Sequence, residues 1–148
     1  MPLVNSIITT IIFFYLGYCS FTDIKKRIVY IFPTIIISII SISLCLYNSL
    51  ISNNISGFLL SFIPGVILII FSFITRENIG YGDSIVLALC CIATNFWNGI
   101  FIITTSFIYS ALYSVVLLLL FRGKNLKNTI PFVPFIFLGY TSFLFTNL

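Results

Sequence analysis

Three acidic side chains carry whatever proton chemistry this 148-residue chain performs: Asp23, Glu77 and Asp83. Histidine is absent, which excludes Ser-His-Asp triads, Cys-His dyads and histidine-bearing zinc sites. The four cysteines, Cys19, Cys45, Cys90 and Cys91, fall in apolar runs without paired C-x-x-C spacing. They read as small buried hydrophobes and predict no metal and no cofactor. Carboxylate chemistry remains. Two carboxyl groups held together could hydrolyse an amide without metal or nucleophilic side chain, one polarising a water as general base and the other, protonated, donating to the carbonyl oxygen. Like charges a few ångströms apart in a poorly solvated site cannot both ionise, so such a pair shares a proton.

The elements that must position these acids are set by composition. With 60% apolar and 7% charged residues, the chain lies far from soluble domains, in which roughly a quarter of residues are charged. About 20 residues are needed to cross a hydrocarbon core some 30 Å thick. The apolar runs give six candidate spans on that rule, at 3–21, 28–47, 57–75, 84–98, 99–121 and 130–147. The connections are too short for a soluble unit, with a tight turn expected near Asn98 and Gly99. The expected fold is therefore an all-α membrane protein, a six-helix transmembrane bundle forming a single domain over 1–148. The N-terminus has no basic region before Ile7 and no small-x-small cleavage site near Cys19, so the first run reads as a retained span rather than a signal peptide.

Orientation follows from the cations. Lys25, Lys26 and Arg27 fall in the first connection, Arg76 in the third, and Arg122, Lys124 and Lys127 in the fifth. Alternate connections share a side, so all seven face the cytoplasm and both termini face the other way. The short segment 84–98, about 22 Å as a helix, must still cross for this pattern to hold. The net charge of +4 is juxtamembrane and lacks the aromatic-interleaved surface of a nucleic-acid binder, so the basic residues are assigned to topology and the lipid bilayer.

This topology brings Asp23, Glu77 and Asp83 to one face of the membrane. Asp23 lies at the C-terminal end of the first span, where the helix dipole disfavours an anion unless Lys25 to Arg27 offset it. Asp83 lies at the start of the fourth, where the dipole favours one, so Asp83 is expected as the ionised partner. Plainer readings stand beside this: Asp83 after Gly80-Tyr81-Gly82 as an N-cap, and Asp23 as the start of a solvated loop. Pro64 with Gly65 suggests a kink in the third span. Glu77 beside Arg76 reads as a solvated ion pair, and Trp97, Tyr47 and Tyr140 as interfacial anchors.

Gly80-Tyr81-Gly82-Asp83 at the start of a span, with an earlier aspartate at the end of the first, resembles the GxGD aspartyl peptidases. Phe21-Thr22-Asp23-Ile24-Lys25-Lys26-Arg27 resembles the first-aspartate region of the type IV prepilin peptidases. Ile130-Pro131-Phe132-Val133-Pro134-Phe135 with Gly139 is similar to the I-P-F-x-P-F-x-x-x-G pattern of that family's last span. The agreement runs from about residue 16 to 140. The resemblance implies that Asp23 and Asp83 are the catalytic pair, removing the basic leader of pilin-like precursors at the cytoplasmic face of the inner membrane. Gly80 and Gly82 would then let the backbone bend so that Asp83 reaches Asp23, Glu77 would meet the leader, and Pro131 and Pro134 would open the last span near the site. Larger members carry a four-cysteine zinc site and N-methylate the new terminus; with neither that pattern nor that length, cleavage without methylation is expected here. The chain departs from the family at Val29-Tyr30-Ile31, where I-P-N is usual, and at Ile85, where a lysine is usual. The first touches how the second span begins; the second bears on Asp83 electrostatics and substrate docking. Two other classes stay open: an intramembrane GxGD protease of the signal-peptide-peptidase type, which resembles a longer protein with Tyr-Asp and Pro-Ala-Leu motifs, and a non-catalytic membrane scaffold.

Overall fold

A computed structural model describes residues 2–26, 28–74, 80–120 and 131–146. Among these residues the chain is all-helical: α1 (Pro2–Lys26), α2 (Ile31–Ile51), α3 (Ile55–Ile74), α4 (Tyr81–Thr94), α5 (Phe96–Leu120) and α6 (Val133–Thr146). Of the six, α1, α2, α3 and α5 are long and apolar enough to cross a membrane. The other two, α4 and α6, have 14 residues each, about 21 Å of helix.

Several boundaries shift by a few residues from the sequence expectation, and three of the differences have a physical reason. α1 runs through Thr22 to Lys26 instead of stopping near residue 21. No Gly or Pro interrupts the run there, Lys25 and Lys26 complement the negative end of the helix dipole, and the Lys25 ammonium sits 4.5 Å from the Phe21 ring centroid. The break between α4 and α5 falls at Asn95, with φ 79° and ψ 165°, not at Asn98 and Gly99. Gly99 serves packing: a Cβ there would stand 2.9 Å from the Cys91 Cα, so its absence is what allows α5 to cross close over α4. The third difference is the connection between α2 and α3, which shrinks to residues 52–54 because the helices extend into the polar stretch expected as loop.

The most extensive contacts join α3 to α4, α5 to α6 and α1 to α6. α4 is the central element, with Val86, Leu87, Leu89 and Cys90 fully or almost fully buried in one core with Ile12, Leu16, Ile102 and Ile136, and Cys91 fully buried against Gly99. Lipid tails are as apolar as leucine, so association in a bilayer relies on close packing, and small residues mark the tightest approaches. Gly65 of α3 meets Ala88 of α4, where an added Cβ would lie 2.8 Å from the alanine methyl, and Gly139 of α6 lies against Ile102, Thr105 and Ser106 of α5. Pro64 stands inside α3, which continues on both sides of it.

Tyr140 is not an interfacial anchor. It is fully buried, and its hydroxyl donates to the Thr9 carbonyl at 3.2 Å, tying α6 to α1. Burial of a phenol is affordable only with such a partner. Trp97 and Tyr47 are exposed. The four cysteines are free thiols within helices, three buried and Cys45 half-buried.

Candidate active site

Asp23 lies within the last turn of α1 and is only 6% exposed, so its carboxyl group needs partners inside the protein. One comes from the far end of the chain: the Val133 backbone N–H donates to Asp23 Oδ2 at 3.1 Å. The local sequence makes this donor available. The first N–H groups of any helix lack an intrahelical acceptor, and Val133 is the first residue of α6. Pro134, next in line, has no N–H at all, and the Phe135 and Ile136 amides already donate to the Phe132 carbonyl at 3.0 and 3.3 Å. The single donor left in this first turn therefore points at the carboxylate. Pro131 and Pro134 are both half-buried beside it, which gives the proline pattern a physical role in setting this helix start.

Asp83 sits in the first turn of α4 and is half-buried. Gly80, not Asp83, occupies the N-cap, and no side chain caps this helix, so the plain capping reading of Asp83 does not hold. Burial, reinforced by the negative charge of Asp23, pushes the Asp83 carboxyl from its ordinary 3.8 up to about 7. Asp23 lies close enough to Asp83 for its charge to act on it across the α1–α4 contact.

The direction at Asp83 is opposite to the one expected from its helix end. A helix N-terminus favours an anion by about 0.3–1 kcal/mol at exposed sites, whereas desolvation moves a carboxyl group by several kcal/mol. Burial wins at Asp83. Asp23 is held by the Val133 N–H at the start of α6. Burial and the neighbouring Asp23 thus both favour the protonated form of Asp83.

The glycines supply space. Gly80 has φ −56° and ψ 136°, an ordinary extended backbone, and a Cβ there would lie 3.2 Å from Asp83 Oδ2. Gly82 rests on Val29, where a Cβ would meet the valine Cβ at 3.0 Å. So Val29, in the stretch that departs from I-P-N, packs the start of α4 against the α1–α2 connection. Tyr30 accepts a 2.9 Å hydrogen bond from the Lys26 ammonium, and Ile85, two residues after Asp83, is exposed. Glu77 and Arg76 lie outside the described residues, as do Arg27, Arg122, Lys124, Lys127 and Ile130. Lys25 and Lys26 are at the same end of the bundle as the two aspartates.

The sequence reading missed Val133, whose contribution is a backbone amide. A usable signal was present in the two prolines that bracket it, since they strip the neighbourhood of competing donors. Among the described residues no three His, Cys, Asp or Glu side chains gather as a metal site.

A comparison with curated proteins and one with solved structures each returned no match. The profile of the type IV leader peptidase family matches residues 10–119, a stretch that contains both aspartates and the glycines before the second. With most of its length so matched, the chain belongs to the type IV leader peptidase family, the prepilin peptidases, and is a membrane protease.

Proposed function

We propose that this protein is an aspartic endopeptidase that removes the basic leader from pilin-like precursors at the cytoplasmic face of the inner membrane. The observation that carries the reading is the coupling of a buried and a half-buried carboxyl group from distant parts of the chain, with the Asp83 carboxyl raised to about 7 by burial and by Asp23. In this mechanism Asp23 takes a proton from a water molecule as the water oxygen attacks the scissile carbonyl carbon. Asp83 gives its proton to the carbonyl oxygen. The tetrahedral intermediate then collapses as Asp23 passes its proton to the departing amine nitrogen, the C–N bond breaks, and Asp83 takes a hydroxyl proton from the intermediate, which returns the pair to its starting state with one proton.

Lys25 and Lys26 at the aspartate end support a cytoplasmic orientation for the site, with both termini on the opposite side. The reading assigns no methyl transfer to these residues, because the cysteines are dispersed within packed helices. Glu77, on the same connection as Gly80, is proposed to meet the leader's positive charges.

The test is co-expression with a tagged pilin-like precursor, following leader loss by gel mobility. Asp23→Asn and Asp83→Asn are each expected to abolish processing while the protein still inserts, and Glu77→Gln to retain most of it. Full processing by either asparagine variant would remove the aspartic mechanism.

A further inference from the structure

The end of the bundle away from the aspartates holds a polar feature that leader cleavage does not use. A cavity of about 360 Å³ opens there between the start of α1, the ends of α2 and α4 and the starts of α3 and α5. Small-molecule sites commonly occupy roughly 300–1,000 Å³. Five asparagines line it, Asn5, Asn48, Asn54, Asn95 and Asn98, with serine and threonine hydroxyls between them and, among the described residues, no charged side chain.

The asparagines come from separate parts of the chain and are held in place. The Asn48 amide nitrogen donates to Asn5 Oδ1 at 2.9 Å, bridging α2 and α1. Asn54 Oδ1 accepts from the Gly57 N–H at 3.2 Å, and the Asn98 amide nitrogen donates to the Thr94 carbonyl at 2.9 Å. Each bond engages one end of a carboxamide, which carries donors on nitrogen and an acceptor on oxygen, so each retains capacity of the opposite kind. Asn95 adds a second observation: at φ 79° and ψ 165° it occupies a backbone region that is almost exclusive to glycine, and such residues concentrate at ligand clamps.

The chemistry of this lining selects its ligand. A phosphate, carboxylate or ammonium would enter without a counter-charge, which is unfavourable in a partly desolvated site. Sugar hydroxyls donate and accept together, as the carboxamides do, and the apolar face of a sugar ring has Phe58 and Phe143 in the same lining to rest on. Leu50, Ile51, Ile55 and Leu59, which alternate in sequence with the lining residues of α2 and α3, are exposed and offer acyl chains an apolar surface. We propose that this cavity binds the uncharged sugar headgroup of a glycolipid, in the leaflet opposite the aspartate pair.

The test places the full chain in phosphatidylcholine nanodiscs carrying equal minor fractions of monoglucosyl diacylglycerol and phosphatidylglycerol, and counts retained lipids by native mass spectrometry. The glucosyl lipid is expected at least tenfold above its share of the disc, and phosphatidylglycerol at its share. Asn98→Leu and Ser52→Leu should each return the glucosyl lipid to its share; Ser52 is an exposed turn residue, so that variant remains informative if the first fails to fold. Equal retention of both lipids, preference for the phospholipid, or enrichment that Ser52→Leu leaves intact would overturn the proposal. A rise in melting temperature with methyl glucoside, without enrichment of the glucosyl lipid, would overturn the lipid source in favour of a soluble sugar.

Discussion

Removing the charge of Asp23 tests how the Asp83 proton is held. The rise of the Asp83 carboxyl from 3.8 to about 7 corresponds to roughly 4 kcal/mol between its two protonation states. Burial is the larger cause and the Asp23 charge the smaller, so less than half of that, under about 2 kcal/mol, disappears in Asp23→Asn. The Asp83 carboxyl should then come down only part of the way and stay well over an ordinary aspartate. Infrared titration of the protonated carboxyl stretch in detergent-solubilised protein measures this directly, with Asp83→Asn identifying the band. The same group sets a stability trend. A carboxyl whose folded pKa lies above its unfolded value stabilises the fold fully below about 3.8 and loses that contribution as pH rises through about 7. Wild-type melting temperature should therefore fall across this window more steeply than that of Asp83→Asn. A band that titrates near 4 in the wild type, or drops to that value in Asp23→Asn, would refute burial as the dominant cause.

Other substitutions probe the remaining supports. Val133→Pro deletes the N–H that meets Asp23 at a helix position where proline is tolerated; a hydrogen bond to a charged group contributes about 1.5–3 kcal/mol, so leader cleavage in the gel assay should fall at least tenfold with the helix content by circular dichroism unchanged. Gly99→Ala drives a Cβ to 2.9 Å from the Cys91 Cα and should destabilise by about 1–3 kcal/mol in a detergent melt, whereas Gly17→Ala meets its nearest atom at 3.9 Å and should stabilise by about 0.5–1 kcal/mol. Asn95→Gly relieves an unfavourable backbone at the α4–α5 junction and should raise stability by about 1–3 kcal/mol in the same melt.

The spans were legible because a bilayer demands long apolar runs, and the runs of α1, α2, α3 and α5 are bounded by the chain's few charges and polar clusters. Helix ends were less so. Nothing in Thr22 to Lys26 forbids helix, and only the observed packing shows that α1 continues there; Asn98-Gly99 looks like a turn by composition, yet glycine is used for closeness and a lone asparagine makes the bend. The two aspartates stood out because acids are rare here. The protonation of Asp83 could not be read from its helix end, since dipoles are local while burial depends on neighbours contributed by other segments. Tyr140 was misjudged for the same reason: an amphipathic ring suits an interface, and its partner, the Thr9 carbonyl, lies 131 residues away.

The shortness of α4 has a consequence for insulation. Its 14 residues leave roughly 9 Å of a 30 Å hydrocarbon layer uncrossed, yet α3 and α5 flank it and shield much of that shortfall from lipid. Polar groups begin at both of its ends, carboxyl groups at one and carboxamides at the other. Val86, Leu87, Leu89 and Cys90, packed in one core with Ile12, Leu16 and Ile136, form the apolar layer that separates these two polar ends.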